Sequence, residues 1–201
     1  MNILLVASQS RARRNLLSEA EIPFVLLDQE ADEKACDWTL PLPQLVSSIA
    51  RHKMEQIIIP FALEGKEIFV LTADTLTESL DGKILGKPDN REHAREMLRL
   101  IRPGARVGTA FCLEKKIYRC EKWQTQEQII EYVQAHCIFD VPEKDIDIYI
   151  DNSHALSCSG SFTLDGLGVQ FFKSLSGSYT TILGLPMREL RKALEKLRFY
   201  F

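Results

Sequence analysis

An apolar run, Ile3-Leu4-Leu5-Val6-Ala7, breaks directly into Ser8-Gln9-Ser10-Arg11-Ala12-Arg13-Arg14 and then Leu16-Leu17. A buried strand that feeds a helix within a few residues commits the chain to a βα unit, and such units build sheets with helices on their faces. Ser10 is placed to cap the helix. Two serine hydroxyls, the free N–H groups of a helix start and three arginines gather at this one turn. A helix N-terminus favours anions, and Arg offers bidentate contacts to phosphate. The turn suits a phosphate tail; the alternative is a solvated basic first turn, because no glycine-rich phosphate motif accompanies it.

The same alternation continues. Ile22 to Leu27 reads as a short strand, and an acidic segment follows with Asp28, Glu30, Asp32 and Glu33. Leu45, Ile49, Lys53, Met54, Ile57 and Ile58 recur at helical spacing after Pro41 and Pro43. Ile68 to Ala73 is the clearest central strand and is expected to end at Asp74-Thr75. Asp81-Gly82 predicts a hairpin turn between Leu76 and Leu85, closed by Gly86-Lys87-Pro88. Ala94, Met97, Leu98 and Ile101 give a helix its apolar face. Val107–Leu113 and Ile117–Trp123 read as strands paired around Glu114-Lys115-Lys116. Residues 129–139 fit either period, with strand favoured in the second half. Glu143 to Ile150 predicts a short helix, Ser157 to Gly168 a Ser/Gly-rich binding loop, Val169 to Phe172 a strand, and Met187 to Leu197 a final helix. The expected fold class is α/β, a mixed twisted sheet flanked by helices.

Composition narrows function. A hydrophobic fraction of 45% with 26% charged residues belongs to a globular chain, and a net charge of −3 argues against wholesale binding of nucleic acid or anionic membrane. The first apolar run lacks signal-peptide flanks, and no stretch reaches transmembrane length. Five scattered cysteines without a CxxC pair predict buried, reduced thiols in a cytoplasmic protein. The four histidines form no metal motif.

Chemistry is expected where a carboxylate meets the carboxyl edge of the sheet, and Asp74 is placed there. It would bind Mg²⁺ or activate water, or else cap a turn. Glu33 belongs to a charge cluster of the kind that is usually solvated. Lys53 lies near an apolar helix face, where it would snorkel. Lys87 sits in a turn pre-set by Gly86 and Pro88. Together these residues suit phosphoanhydride hydrolysis: cations neutralise phosphate oxygens, and carboxylates hold a metal and orient water. Ser159-Gly160-Ser161 is not a serine-hydrolase elbow, and Gly166-Leu167-Gly168 is too weak for a dinucleotide fingerprint.

Read in order, Ala7-Ser8-Gln9-Ser10 with Arg13 and Leu16-Leu17, Asp32-Glu33, Ile49-Ala50-Arg51-His52-Lys53, Ala73-Asp74-Thr75, Leu85-Gly86-Lys87-Pro88, Thr109-Ala110, and Gly177-Ser178-Tyr179 leading to Gly184-Leu185-Pro186 resemble the Maf family of nucleoside triphosphate pyrophosphatases almost end to end. The resemblance implies one Maf-like domain over residues 1–201, two lobes with a central cleft as in ITPase-like folds, Mg²⁺ or Mn²⁺ dependence, and frequent homodimers. It implies release of pyrophosphate from non-canonical or pyrimidine nucleoside triphosphates. Asp74 would be the proton acceptor, and Glu33 with Asp74 would place the metal. Ser8, Ser10, Arg13, Lys53, Thr75, Lys87 and Asp165 would contact substrate.

Departures from the family pattern fall at Ala12, where an arginine helps set base specificity, at Arg102 and Ala105, and at Cys158, where a lysine is expected. Thr75 resembles the dTTP/UTP branch, Asp165 is closer to the 7-methyl-GTP branch, and Ala12 matches neither, so the base stays open. Losing one buried lysine contact costs on the order of 2–4 kcal/mol. Three readings follow: a metal-dependent pyrophosphatase; a catalytically weakened nucleotide-binding regulator on the same fold, linked to septum formation; and an unrelated phosphatase releasing orthophosphate.

Overall fold

The computed structural model describes residues 2–29 and 31–200. Glu30, part of the acidic segment, lies outside the described residues. The elements in chain order are β1 (Leu4–Val6), α1 (Arg11–Glu19), β2 (Phe24–Leu26), α2 (Leu42–Glu55), β3 (Glu67–Ser79), β4 (Ile84–Leu85), α3 (Arg91–Ile101), β5 (Ala105–Arg119), β6 (Lys122–Phe139), α4 (Ile146–Asp151), β7 (Phe172–Ser176), α5 (Tyr179–Ile182) and α6 (Met187–Lys196). The strands form a sheet in the order β2-β1-β3-β5-β6-β7, with β4 paired to β3. β1 runs parallel to β2 and β3, whereas β3/β4 and β6/β7 are antiparallel, so the sheet is mixed as expected. Among the described residues no helix is long and apolar enough to cross a membrane.

The chain divides into two compact units. The first comprises Met1–Asp74, Ala110–Tyr132 and Gly184–Phe201. The β1/β3 pair of its parallel trio is lined by buried apolar side chains, Leu4 and Val6 on β1 beside Phe69, Val70 and Leu71 on β3. α2 buries Leu45, Val46, Ile49 and Ala50, the three-and-four spacing read from the sequence. It stops at Glu55, so Ile57 and Ile58 are not helical and Ile58 lies exposed. Pro60 restricts only Ile59, so it bars the helix from running further without setting the stop at Glu55. Phe69 and Phe199 close the core edge to face, ring centroids 5.0 Å apart.

The β5/β6 connection corrects a second expectation. Glu114-Lys115-Lys116 lies inside β5, and the chain reverses at Cys120-Glu121, both at positive φ (51° and 61°). Two residues of that hand match the twist of a tight hairpin, even without glycine. Glu114 stays in the strand because its charge is answered there: it is buried, pairs with Lys116, and accepts from Thr125 at 2.8 Å and Gln128 at 2.5 Å. The segment 129–139 is strand throughout. Cys120, expected buried, is exposed because it forms the turn, while Cys112 and Cys137 are buried and burial pushes both thiols up to about 12. All five cysteines are free.

The second unit comprises Thr75–Thr109 and Val133–Leu183. Asp81-Gly82 makes the predicted turn: Ser79 and Lys83 close it at 3.0 Å, and Gly82 adopts φ 86°. α3 buries Ala94, Met97, Leu98 and Ile101 against a cluster containing Phe139, Tyr149 and Phe162. Phe139 stacks at 5.5 Å on Tyr149 and 5.2 Å on Phe162. Outside this core, Arg91, Arg95 and Arg99 of α3 pair with Asp151, Asp147 and Glu143. The expected strand at Val169–Phe172 is instead a 3-10 turn over Gly166–Phe171, and β7 begins at Phe172. Gly168 explains it: its N–H closes a turn onto the Asp165 carbonyl at 3.2 Å, and a Cβ there would lie 1.8 Å from the Thr163 carbonyl oxygen.

Candidate active site

Three charged side chains meet in the first unit. The Lys53 ammonium lies 2.6 Å from Asp74 Oδ1 and 2.7 Å from Glu33 Oε1. Lys53 and Asp74 are buried, and Glu33 is about one-third exposed. Lys53 therefore does not snorkel, and Glu33 is not a freely solvated charge. A buried lysine is stable only when its charge is answered, and two carboxylates answer it here. Asp74 uses one oxygen for Lys53; the other, Oδ2, is buried and has no hydrogen-bond partner. An uncommitted buried carboxylate oxygen is costly, and it is the feature that marks the cluster as more than structural.

Each partner is delivered by a regular element. α2 presents Lys53 one turn after Ala50, whose carbonyl accepts from Thr72 of β3 at 2.6 Å. That bond ties α2 to the strand that carries Asp74. β3 does not end at Asp74 as expected but continues to Ser79. Its parallel neighbour β1 does end: Val6 pairs with Leu71, and Ala7 N–H reaches the Leu71 carbonyl at 2.9 Å. Asp74 thus lies past the carboxyl end of the parallel trio while the backbone beneath it remains extended. Glu33 opens a one-turn 3-10 segment that Asp32 caps, accepting from Lys34 N–H at 3.0 Å. Trp38 donates from its indole to the Glu33 carbonyl at 3.1 Å.

The Ser8–Arg13 turn forms as read. Ser10 caps α1 by accepting from Arg13 N–H at 3.4 Å, and its own N–H donates to Ser8 Oγ at 3.3 Å. Of the basic side chains here, Arg11 is exposed and Arg13 is buried. Arg13 donates from Nε to the Gly184 carbonyl at 2.6 Å and from Nη1 to Ser8 Oγ at 3.2 Å. Burial draws its guanidinium below the ordinary arginine value, and the fields of Asp74 and Glu33 oppose that shift. Cys36, not singled out from the sequence, stands in the same field: burial raises its thiol, a Ser48 hydrogen bond lowers it, and Asp74 and Glu33 raise it further. Among the described residues no group of three or more His, Cys, Asp and Glu gathers as a metal cage.

The remaining predicted residues, Thr75, Lys87 and Asp165, belong to the second unit. Thr75 Oγ1 lies 2.9 Å from Thr109 Oγ1, and Thr109 donates to the Thr181 carbonyl at 2.7 Å. Lys87 is exposed, after the turn that follows β4. Asp165 accepts from the Thr163 hydroxyl, which answers whether it is held: a neighbouring side chain fixes it. Cys158 responds to both, since burial pushes its thiol up to about 11, Asp165 adds to that, and Lys87 lowers it. At neutral pH this position carries no charge, where the resemblance led to the expectation of a lysine. Thr109, Thr181 and Ser159 were missed from sequence because a strand or loop hydroxyl gives no signal until its partners, tens of residues away, are known.

Residues 3–197 match the family described as Maf-like protein. A dTTP/UTP pyrophosphatase from Acholeplasma laidlawii is 31% identical over 198 residues, which cover 98% of this chain and 95% of that one. A nucleoside triphosphate pyrophosphatase from Prochlorococcus marinus is 31% identical over 205 residues, covering 96% and 97%. A dTTP/UTP pyrophosphatase from Bacillus cereus is 29% identical over 198 residues, covering 98% and 96%. The matches take in the turn at Ser8, the carboxylate strand and the loop around Cys158 alike, and with that end-to-end likeness the chain belongs to the Maf-like protein family.

Proposed function

We propose that this protein is a nucleoside triphosphate pyrophosphatase that cleaves between the α- and β-phosphates, giving a monophosphate and pyrophosphate. The observation that carries the reading is the Lys53 ammonium held between Glu33 and Asp74, with Asp74 Oδ2 buried and uncommitted. Lys53 orients the Asp74 carboxylate through Oδ1 and leaves Oδ2 to accept a proton from water attacking the α-phosphorus. Arg13 and Ser8, already rigid through their mutual bond, supply donors to phosphate oxygens, as does the first turn of α1. Lys87 adds a cation for the leaving pyrophosphate, and Thr75 and Asp165 supply base or sugar contacts. The names of the relatives support the substrate class.

Mg²⁺ or Mn²⁺ fits this donor set. Both ions prefer oxygen ligands and complete their shells with substrate phosphates and water, so one or two carboxylates suffice. Glu33 and the Asp74 carboxylate would hold it, with Oδ2 kept for the proton, and when bound it would neutralise charge that builds on the phosphates.

The test is a divalent-metal-dependent release assay over dTTP, UTP, CTP and 7-methyl-GTP, scoring pyrophosphate and orthophosphate separately. Pyrophosphate release that vanishes in Asp74→Asn supports the reading; orthophosphate alone, or an Asp74→Asn variant at the wild-type rate, overturns it. The neutral thiol at Cys158 favours a second reading, a nucleotide-binding regulator, which predicts nucleotide binding with no turnover across the panel.

A further inference from the structure

The exit turn of β4 is held from both sides. Thr77 of β3 pairs with Leu85 of β4 in the ladder. From the loop more than seventy residues later in the chain, Ser159 donates its hydroxyl to the Leu85 carbonyl at 2.6 Å. Its Oγ also lies 3.0 Å from Thr77 Oγ1, and Thr77 donates to the Ser159 carbonyl at 3.2 Å. The next residue, Gly160, donates its N–H to the Gly86 carbonyl at 3.0 Å. Two successive loop residues therefore grip two successive turn residues. Gly160 is required for the close approach: it adopts φ 67°, and a Cβ would stand 3.0 Å from three side-chain atoms of Thr77.

The residue that follows this grip is Lys87, and the residue after it is Pro88. Proline confines the backbone of the residue before it to extended conformations. Lys87 is thus fixed on its C-terminal side by Pro88 and on its N-terminal side by the hydrogen bonds on Leu85 and Gly86. We propose that Ser159 is a positioning residue for Lys87, locking the turn so that an exposed, flexible lysine meets phosphate from a rigid base. The inference rests on the reading of Lys87 as a phosphate contact. Pre-fixing a lysine stem removes part of the ordering cost of binding, so the effect falls on affinity rather than on the chemical step.

The experiment is a double-mutant cycle of wild type, Ser159→Ala, Lys87→Ala and the double variant. Each is measured for KM and kcat on the best substrate of the panel, for inhibition by inorganic pyrophosphate, and for melting temperature. The expected result is that Ser159→Ala raises KM and the pyrophosphate inhibition constant by about 2- to 10-fold, the worth of one neutral hydrogen bond, with kcat little changed. Once Lys87 is alanine, Ser159→Ala should add nothing further to either constant. Thr77→Val, which removes the other hydroxyl of the grip, repeats the measurement should Ser159→Ala fold poorly. Multiplicative effects, or a raised KM in Lys87→Ala with none in Ser159→Ala, overturn the positioning role and leave the phosphate role of Lys87 standing. A Lys87→Ala variant with unchanged KM and inhibition overturns both.

Discussion

The two units solve the same problem, holding polar groups still, by different means. In the first, Lys53, Glu33 and Asp74 are charged and buried or half-buried, and each is carried by or docked against a regular element. In the second, Thr75, Thr109, Ser159 and Thr77 are neutral, and hydroxyls and carbonyls tie strand to loop. Charge in a low-dielectric setting acts strongly and fails abruptly, whereas each neutral hydrogen bond contributes about 1 kcal/mol and fails by degrees. Damage to the charged cluster should therefore read out in turnover as well as stability, and damage to the hydroxyl ties in affinity and stability.

The sharpest test of that contrast is Asp74→Asn. It keeps the shape and removes the proposed proton acceptor, and turnover should fall by about 10³-fold or more, the scale of a general base. Pyrophosphate release and circular dichroism measured together separate lost chemistry from lost fold. Lys53→Met comes next. It strands Asp74 as a buried carboxylate without its cation, which should cost about 3–5 kcal/mol and most of the activity. Urea unfolding measures the first and the release assay the second; an unchanged midpoint would show that the pair adds no net stability.

In the second unit the largest effect should come from Gly168→Ala. The added methyl meets the Thr163 carbonyl at 1.8 Å, so the 163–168 turn must move, at a cost of about 3 kcal/mol. Thermal unfolding should show it, with any loss of activity following the melt. The smallest effect is electrostatic. Arg99, Arg95 and Arg91 hold Glu143, Asp147 and Asp151 below the ordinary carboxylate range, chiefly through hydrogen bonds to those carboxylates. A depressed folded pKa contributes stability above the unfolded value, about 4, and that contribution is lost as pH falls through the folded values. Melting temperature should drop modestly below about pH 4, and less in 1 M NaCl, because these pairs are exposed and salt screens them.

Much of this was legible in the sequence. The Ser8–Arg13 turn, the Asp81-Gly82 hairpin and the apolar face of α3 were readable because periodicity and capping are local, whereas Glu33, Lys53 and Asp74 were grouped by charge type and resemblance, with the ion pairs of Lys53 unforeseen. What was hidden depends on distant partners. Glu114-Lys115-Lys116 looks like a turn until Thr125 and Gln128 are seen to satisfy Glu114. The reversal at Cys120-Glu121 carries none of the usual turn residues. The Val169–Phe172 strand is overridden by the contact of Gly168 with Thr163, which no pattern of hydrophobicity records. The run of β3 beyond Asp74 leaves no mark in the local pattern, and the loop over Ser159 gains its meaning only from Thr77 and Leu85.

The bond from Arg13 Nε to the Gly184 carbonyl joins residues 171 positions apart. On a ribosome, the turn that Arg13 anchors emerges 171 residues ahead of its acceptor. Until Gly184 leaves the exit tunnel, the Arg13 guanidinium lacks this acceptor, and the Ser8–Arg13 turn stays unfinished. The turn should thus gain this hydrogen bond only after the segment around Gly184 has been made, in contrast to turns closed by neighbouring residues.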